Sequence, residues 1–137
     1  MTKKTVHFEK LPIAKFYGNP IYDVWHLVED SEPLVLKDFN SLDKATRTKV
    51  RRIIGNMATI PEYDSNSLRW MVHKYQYGEV KPKGHRFFFF IKCGMNIVFF
   101  EYREKKSDSL GNEVYKMIDQ KREEYEREFE KFIKRNQ

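Results

Sequence analysis

The sequence predicts an α+β fold: a small, mostly antiparallel sheet with an N-terminal helical pair and a long C-terminal helix. Three observations predict it. Two dense apolar segments, residues 86–92 and 96–103, are joined by Cys93-Gly94-Met95. Residues 42–57 carry apolar side chains at helical spacing. A second helical stripe, from Val114 to Ile133, runs toward the C-terminus.

The elements follow in order. Residues 1–20 read as an irregular arm with a short strand near residues 5–8, punctuated by Pro12, Gly18 and Pro20. Residues 21–28 hold Ile21, Tyr22, Val24, Trp25 and Val28, a β-branched and aromatic mixture that favours a strand. Pro33 suits the first turn of a short helix whose apolar face is Leu34, Val35 and Phe39. Asn40 or Ser41 can cap the next helix. Leu42, Thr46, Val50, Ile53 and Met57 form its face, and Pro61 ends it.

Beyond residue 68 the period shortens. Residues 68–72 suit a short strand or a turn of helix, and residues 75–80 an extended segment ended by Pro82 and Gly84. The pair 86–92 and 96–103 reads as a hairpin with Gly94 supplying positive φ. Apolar residues on both of its faces predict a central position, covered on one side by helices. Ser107, Asp108 and Ser109 offer caps for the last helix, which should run to about Lys134. Its stripe of Val114, Ile118, Tyr125, Phe129, Phe132 and Ile133 must pack on the sheet or on a partner.

At 137 residues, the chain fits one domain spanning 1–137. A single Cys excludes an internal disulfide and suits a reducing compartment. The longest run of large apolar residues, Phe87 to Ile91, is far below the roughly 20 that a membrane span requires. His7, Glu9 and Lys10 stand where a signal peptide would be apolar. A soluble cytoplasmic protein is expected. No dinucleotide fingerprint, phosphate-binding loop or serine elbow is present. The four histidines and Cys93 lack metal-ligand spacing, so no metal or cofactor is expected.

Charge is unevenly placed. Residues 1–68 carry ten bases and nine acids, residues 69–106 nine bases and three acids, and residues 107–137 seven bases and eight acids. The chain's net +6 therefore resides in one central segment, which attracts phosphate. There the bases Lys74, Lys81, Lys83, Arg86, Arg103, Lys105 and Lys106 interleave with Trp70, Tyr75, Tyr77 and Tyr102. Single-stranded RNA is bound by such mixtures, cations on phosphates and ring planes on bases. For each aromatic taken singly, a place in the sheet core is the commoner role.

The same residue types can cleave RNA without a metal. The 2′-hydroxyl must lose a proton, the 5′-oxygen must gain one, and charge grows on the phosphate. In an antiparallel hairpin His85 and Arg86 lie opposite residues 103–106. That gathers four or five cations at one end of the sheet.

Three segments in this order resemble the RelE/ParE superfamily of type II toxins, most closely its HigB-like, phage-derived branch. They are Ser41-Leu42-Asp43-Lys44-Ala45-Thr46-Arg47-Thr48-Lys49-Val50, Lys83-Gly84-His85-Arg86-Phe87-Phe88-Phe89-Phe90 and Phe99-Phe100-Glu101-Tyr102-Arg103-Glu104-Lys105-Lys106. The resemblance spans about residues 21–130. It implies a RelE-like fold and a ribosome-dependent mRNA endonuclease, held by a cognate antitoxin that commonly carries a helix-turn-helix. It also implies site roles. Arg86 would hold the scissile phosphate, Lys106 would stabilise charge, and Tyr115 matches a tyrosine near the final helix. His85, which replaces a common aromatic, would serve as acid or base. Independently of the resemblance, the interleaving of bases and aromatics marks Lys74, Lys81, Lys83, Tyr102, Arg103 and Lys105 as RNA contacts. Where RelE has a lysine pair on the strand before the arginine, this chain has Glu79 and Lys81. That departure keeps two alternatives open: a gyrase inhibitor of the ParE type, and an RNA-binding member without catalysis.

Overall fold

The computed structural model describes residues 4–11, 18–72, 74–105 and 111–136. Among the described residues six strands form one sheet: β1 (Val6–Lys10), β2 (Asp23–Glu29), β3 (Leu68–Arg69), β4 (Gly78–Val80), β5 (His85–Ile91) and β6 (Asn96–Glu104). Three helices among the described residues accompany them: α1 (Leu34–Asn40), α2 (Lys44–Thr59) and α3 (Asn112–Arg135). The strand order is β1-β2-β6-β5-β4-β3, with β2 parallel to β6 and the remaining neighbours antiparallel.

This architecture corrects the expected small, mostly antiparallel RelE-like sheet headed by an N-terminal helical pair. The sheet is mixed and six-stranded, and two strands precede the helices. The cause at one edge is the segment 6–10. It pairs along β2 from Val6↔Glu29 to Lys10↔Trp25 and sinks Phe8 into the core. At the other edge Leu68–Arg69 and Gly78–Val80 add two short strands. The parallel contact arises because the chain makes a long crossover between β2 and β6. Side chains of β2 are buried on both faces, as parallel strands in a covered sheet are.

Helices cover both faces, and strand alternation sorts the side chains between them. Val24, Val80, Phe87, Phe89, Ile97 and Phe99 meet Val50, Ile53, Ile54 and Met57 of α2. Leu27, Phe88, Phe90, Val98 and Phe100 meet Ile118, Tyr125 and Phe129 of α3. The C-terminal stripe therefore packs on the sheet rather than on a partner. Tyr125 ties the two together, its hydroxyl donating to Glu29 Oε2 at 2.5 Å. The cap of α2 is Asp43, not Asn40 or Ser41; its carboxylate accepts from the Thr46 backbone N–H at 2.8 Å. Gly111 occupies the N-cap position of α3, while Ser107, Asp108 and Ser109 lie outside the described residues.

The hairpin falls where expected, within one residue, with Cys93 and Gly94 both at positive φ. Its ladder has one irregularity. Phe88 pairs with Glu101 but Phe89 pairs with Phe99, which leaves Phe100 as a bulge. Gly78 makes a second local demand. A Cβ there would stand 2.4 Å from Phe89 Cζ and 2.6 Å from the Arg69 carbonyl, so the close approach of β3, β4 and β5 requires glycine.

His26 of β2 is 2% exposed. Burial pushes its imidazole pKa down, outweighing the raising influence of Glu9. The unfolded chain therefore takes up this proton at a higher pH than the folded one. Stability should fall as pH drops below about 6.5 toward the depressed folded value. Urea unfolding at a series of pH values should show that slope reduced in His26→Phe; an unchanged slope would contradict it.

Candidate functional site

Strand alternation places neighbouring residues on opposite faces, and here it divides the expected site. His85 lies on the α1/α2 side, where its Nδ1 is 2.7 Å from the Tyr102 hydroxyl and the two rings stack at 5.9 Å. Tyr102 itself packs on the core of that side. Burial, then Glu104 and Asp38, push the Tyr102 phenol above the ordinary tyrosine range. Arg86 lies on the α3 side. His85 and Arg86 are thus adjacent in sequence but do not converge on one patch.

The α3 side holds the denser charge cluster. Glu79, 1% exposed, sits beneath two guanidiniums. Arg69 Nε is 3.7 Å from its Oε1 and Arg86 Nε is 3.9 Å from its Oε2. Among the described residues Glu79 Oε2 accepts no hydrogen bond, so charge rather than a short hydrogen bond holds Arg86 to it. Arg86 is fixed further by donating from Nη1 to the His85 carbonyl at 2.7 Å and to the Pro82 carbonyl at 3.3 Å. Across the ladder Arg86 faces Arg103. Like charges placed directly opposite repel. The pair is relieved from the far side, where Arg103 Nη2 donates to Glu101 Oε2 at 3.1 Å and Lys121 of α3 donates to the same oxygen at 2.8 Å.

On this face Arg69, Arg86, Arg103 and Lys121 stand against Glu79 and Glu101, an excess of two positive charges. Opposed guanidiniums with an excess of charge suit a phosphate, which accepts paired N–H donors.

Tyr115, in the first turn of α3, belongs to the same face. Its ring meets Phe88 edge-on at 6.4 Å, and its carbonyl accepts from the Tyr77 hydroxyl at 2.9 Å. Burial first and the Glu79 carboxylate second push its phenol above the usual range, against the opposing influence of Arg86 and Arg69. Tyr115 is therefore protonated at neutral pH, a donor and not a base.

The other expected RNA contacts do not all gather at this cluster, and Tyr102 lies on the opposite face. Lys83 is exposed in the turn between β4 and β5, and the Lys105 N–H donates to the Gly84 carbonyl at 2.9 Å, so both mark the same end of the sheet. The Lys81 N–H donates to the Ser67 carbonyl at 2.7 Å. Lys74 is exposed, its Nζ 5.8 Å from the Tyr75 ring. Lys106 lies outside the described residues. Trp70 and Tyr77 serve the core: the Trp70 indole donates to the Tyr63 carbonyl at 2.7 Å, and Tyr77 is 1% exposed.

The sequence marks Arg69 only as one of the central bases and Glu79 only as a departure from a lysine pair; their pairing beneath α3 is not read from it. One signal bears on Glu79. It shares a strand face with the aromatic Tyr77 two residues earlier, and an acid on an aromatic face covered by a helix is buried and needs a cation. Removing Glu79 should leave two partly buried guanidiniums unbalanced. Glu79→Ala should cost about 3 kcal/mol of stability in urea unfolding. Arg69→Ala, whose side chain is 38% exposed, should cost under about 1 kcal/mol. Equal losses would contradict this account of the cluster.

No family model matches the chain, and no curated protein or solved structure matches it.

Proposed function

We propose that this chain binds RNA through the face formed by Arg69, Arg86 and Arg103 and cleaves mRNA there without a metal, as the toxin of a type II toxin–antitoxin pair. The observation that carries the reading is the opposed pair Arg86↔Arg103, held in place by two carboxylates yet retaining excess positive charge. The order of three sequence segments resembling RelE/ParE toxins supports the toxin role. Ribosome-bound message in the cytoplasm is the substrate, and a cognate helix-turn-helix antitoxin is the restraining partner.

The chemistry follows from the groups present. The 2′-oxygen attacks phosphorus, the 5′-oxygen leaves, and the products carry a 2′,3′-cyclic phosphate and a 5′-hydroxyl. Arg86 and Arg103 stabilise the charge that builds on the non-bridging oxygens, the kind of contribution worth roughly a hundredfold or more in rate per donor. Tyr115, protonated at neutral pH, supplies the proton that the leaving 5′-oxygen gains. Glu79 touches no substrate and positions Arg86 and Arg69. The proton of the 2′-hydroxyl passes to water, because the imidazole of His85 faces the other side of the sheet.

That last feature favours a second reading, RNA binding without cleavage. Primer extension on a reporter mRNA in a bacterial translation extract separates the two. Codon-phased cuts that vanish without ribosomes are expected. Arg86→Ala should reduce them about a hundredfold, and Tyr115→Phe should reduce them while leaving RNA affinity intact. Intact mRNA with arrested translation would establish the binding reading. Intact mRNA with continued translation would overturn both and direct attention to gyrase supercoiling.

A further inference from the structure

The opposite side of the sheet carries a separate feature. Between β2, β5 and β6 and the helices α1 and α2 lies a cavity of about 310 Å³. Val50, Ile54, Phe87 and Phe99 give it an apolar wall. One buried polar side chain, His26, lines it, and the Nδ1 atom of that ring has no hydrogen-bond partner among the described residues. Arg51 is exposed on α2 and lines the same cavity, its guanidinium 5.5 Å from the Phe39 ring.

An unpartnered buried nitrogen is unfavourable, and something of matching polarity should meet it. Water is a poor candidate. A buried water needs two to four polar partners, and among the described residues beside His26 the lining supplies only Asn40 and Arg51, both exposed side chains. A molecule that is apolar over most of its surface and polar at one end satisfies both the wall and the nitrogen. The cavity is at the lower end of the range for small-molecule sites, large enough for a single ring with a short side chain. Arg51, the only charged residue among the described residues of its lining, favours an anionic group over a cationic one.

We propose that this cavity binds a small apolar carboxylate bearing a hydroxyl or carbonyl group. Its body lies against Val50, Ile54, Phe87 and Phe99, its hydroxyl or carbonyl meets His26 Nδ1, and its acid group meets Arg51. Burial keeps the His26 imidazole neutral at neutral pH, so Nδ1 can pair with a donor or an acceptor according to tautomer. The site is independent of the arginine face, which lies across the sheet.

Three one-ring probes test it on the full chain: 4-hydroxyphenylacetate, phenylacetate, which lacks the hydroxyl, and 4-hydroxyphenethylamine, which reverses the charge. Amide NMR titration should show saturable shifts at Val50, Ile54, Phe87 and Phe99 with the first. The other two should bind about tenfold more weakly, the loss of one hydrogen bond or one charge contact. His26→Phe should abolish the preference for the hydroxyl and leave the preference for the acid. Ile54→Trp should fill the cavity and abolish binding, with unchanged circular dichroism showing that the fold persists. No saturable shifts at these residues up to the solubility limit of 4-hydroxyphenylacetate would overturn the proposal. Binding indifferent to hydroxyl, charge and His26→Phe would overturn it equally.

Discussion

One extra residue in β6 decides which side chains share a face. Up to Phe99 the strand alternates regularly against β5. At the bulge Phe100 and Glu101 both turn toward α3, and every later residue is inverted relative to an unbroken ladder. Arg103 thereby joins Arg86 beneath α3, and Tyr102 joins His85 beside α2. Without the bulge Arg103 would lie on the α1/α2 side, away from Glu79 and Lys121.

The energetic consequence is a concentration of charge that the fold must balance locally. Two arginines face each other across a strand pair, an arrangement that lowers stability unless each has its own anion. Glu79 and Glu101 supply those anions from adjoining positions. Glu79 is buried because Gly78 lets β3, β4 and β5 approach closely. The same closeness brings Arg69 within 3.7 Å. Tyr115 completes the face, since Tyr77 fixes the first turn of α3 by a hydrogen bond to its carbonyl. A positively charged, pre-positioned surface results, and its side chains need little rearrangement to meet a phosphate.

Much of this was legible in the residues. The hairpin of Phe87 to Ile91 with Ile97 to Phe100, the helix ended by Pro61 and the apolar stripe of α3 follow from periodicity. So does the rough opposition of residues 85–86 to residues 103–106, because a short turn at Cys93 and Gly94 brings them to one end of the sheet. The bulge was not legible. Phe99 and Phe100 are equally apolar, and no local signal says which one the ladder skips. Its consequence, the pairing of Arg103 with Arg86 on one face and of Tyr102 with His85 on the other, was lost with it. The parallel contact of β2 with β6 was hidden for a related reason: a strand buried on both faces reads the same in either direction. Asp43 was passed over as a cap because Asn40 and Ser41 are equally suited by type. Only the backbone turn after α1 selects among them.

The proposed phosphate site lies on the α3 side of the sheet, at Arg86 and Arg103. The most direct test is the salt dependence of affinity for a single-stranded oligoribonucleotide, read by fluorescence anisotropy. Each phosphate contact contributes about 0.7 to the slope of log affinity against log salt for a single strand. Arg86→Ala and Arg103→Ala should each lower the slope by about that amount, and His85→Ala should leave it unchanged. A slope lowered by His85→Ala and untouched by the two arginine substitutions would place the RNA on the other face and contradict the account.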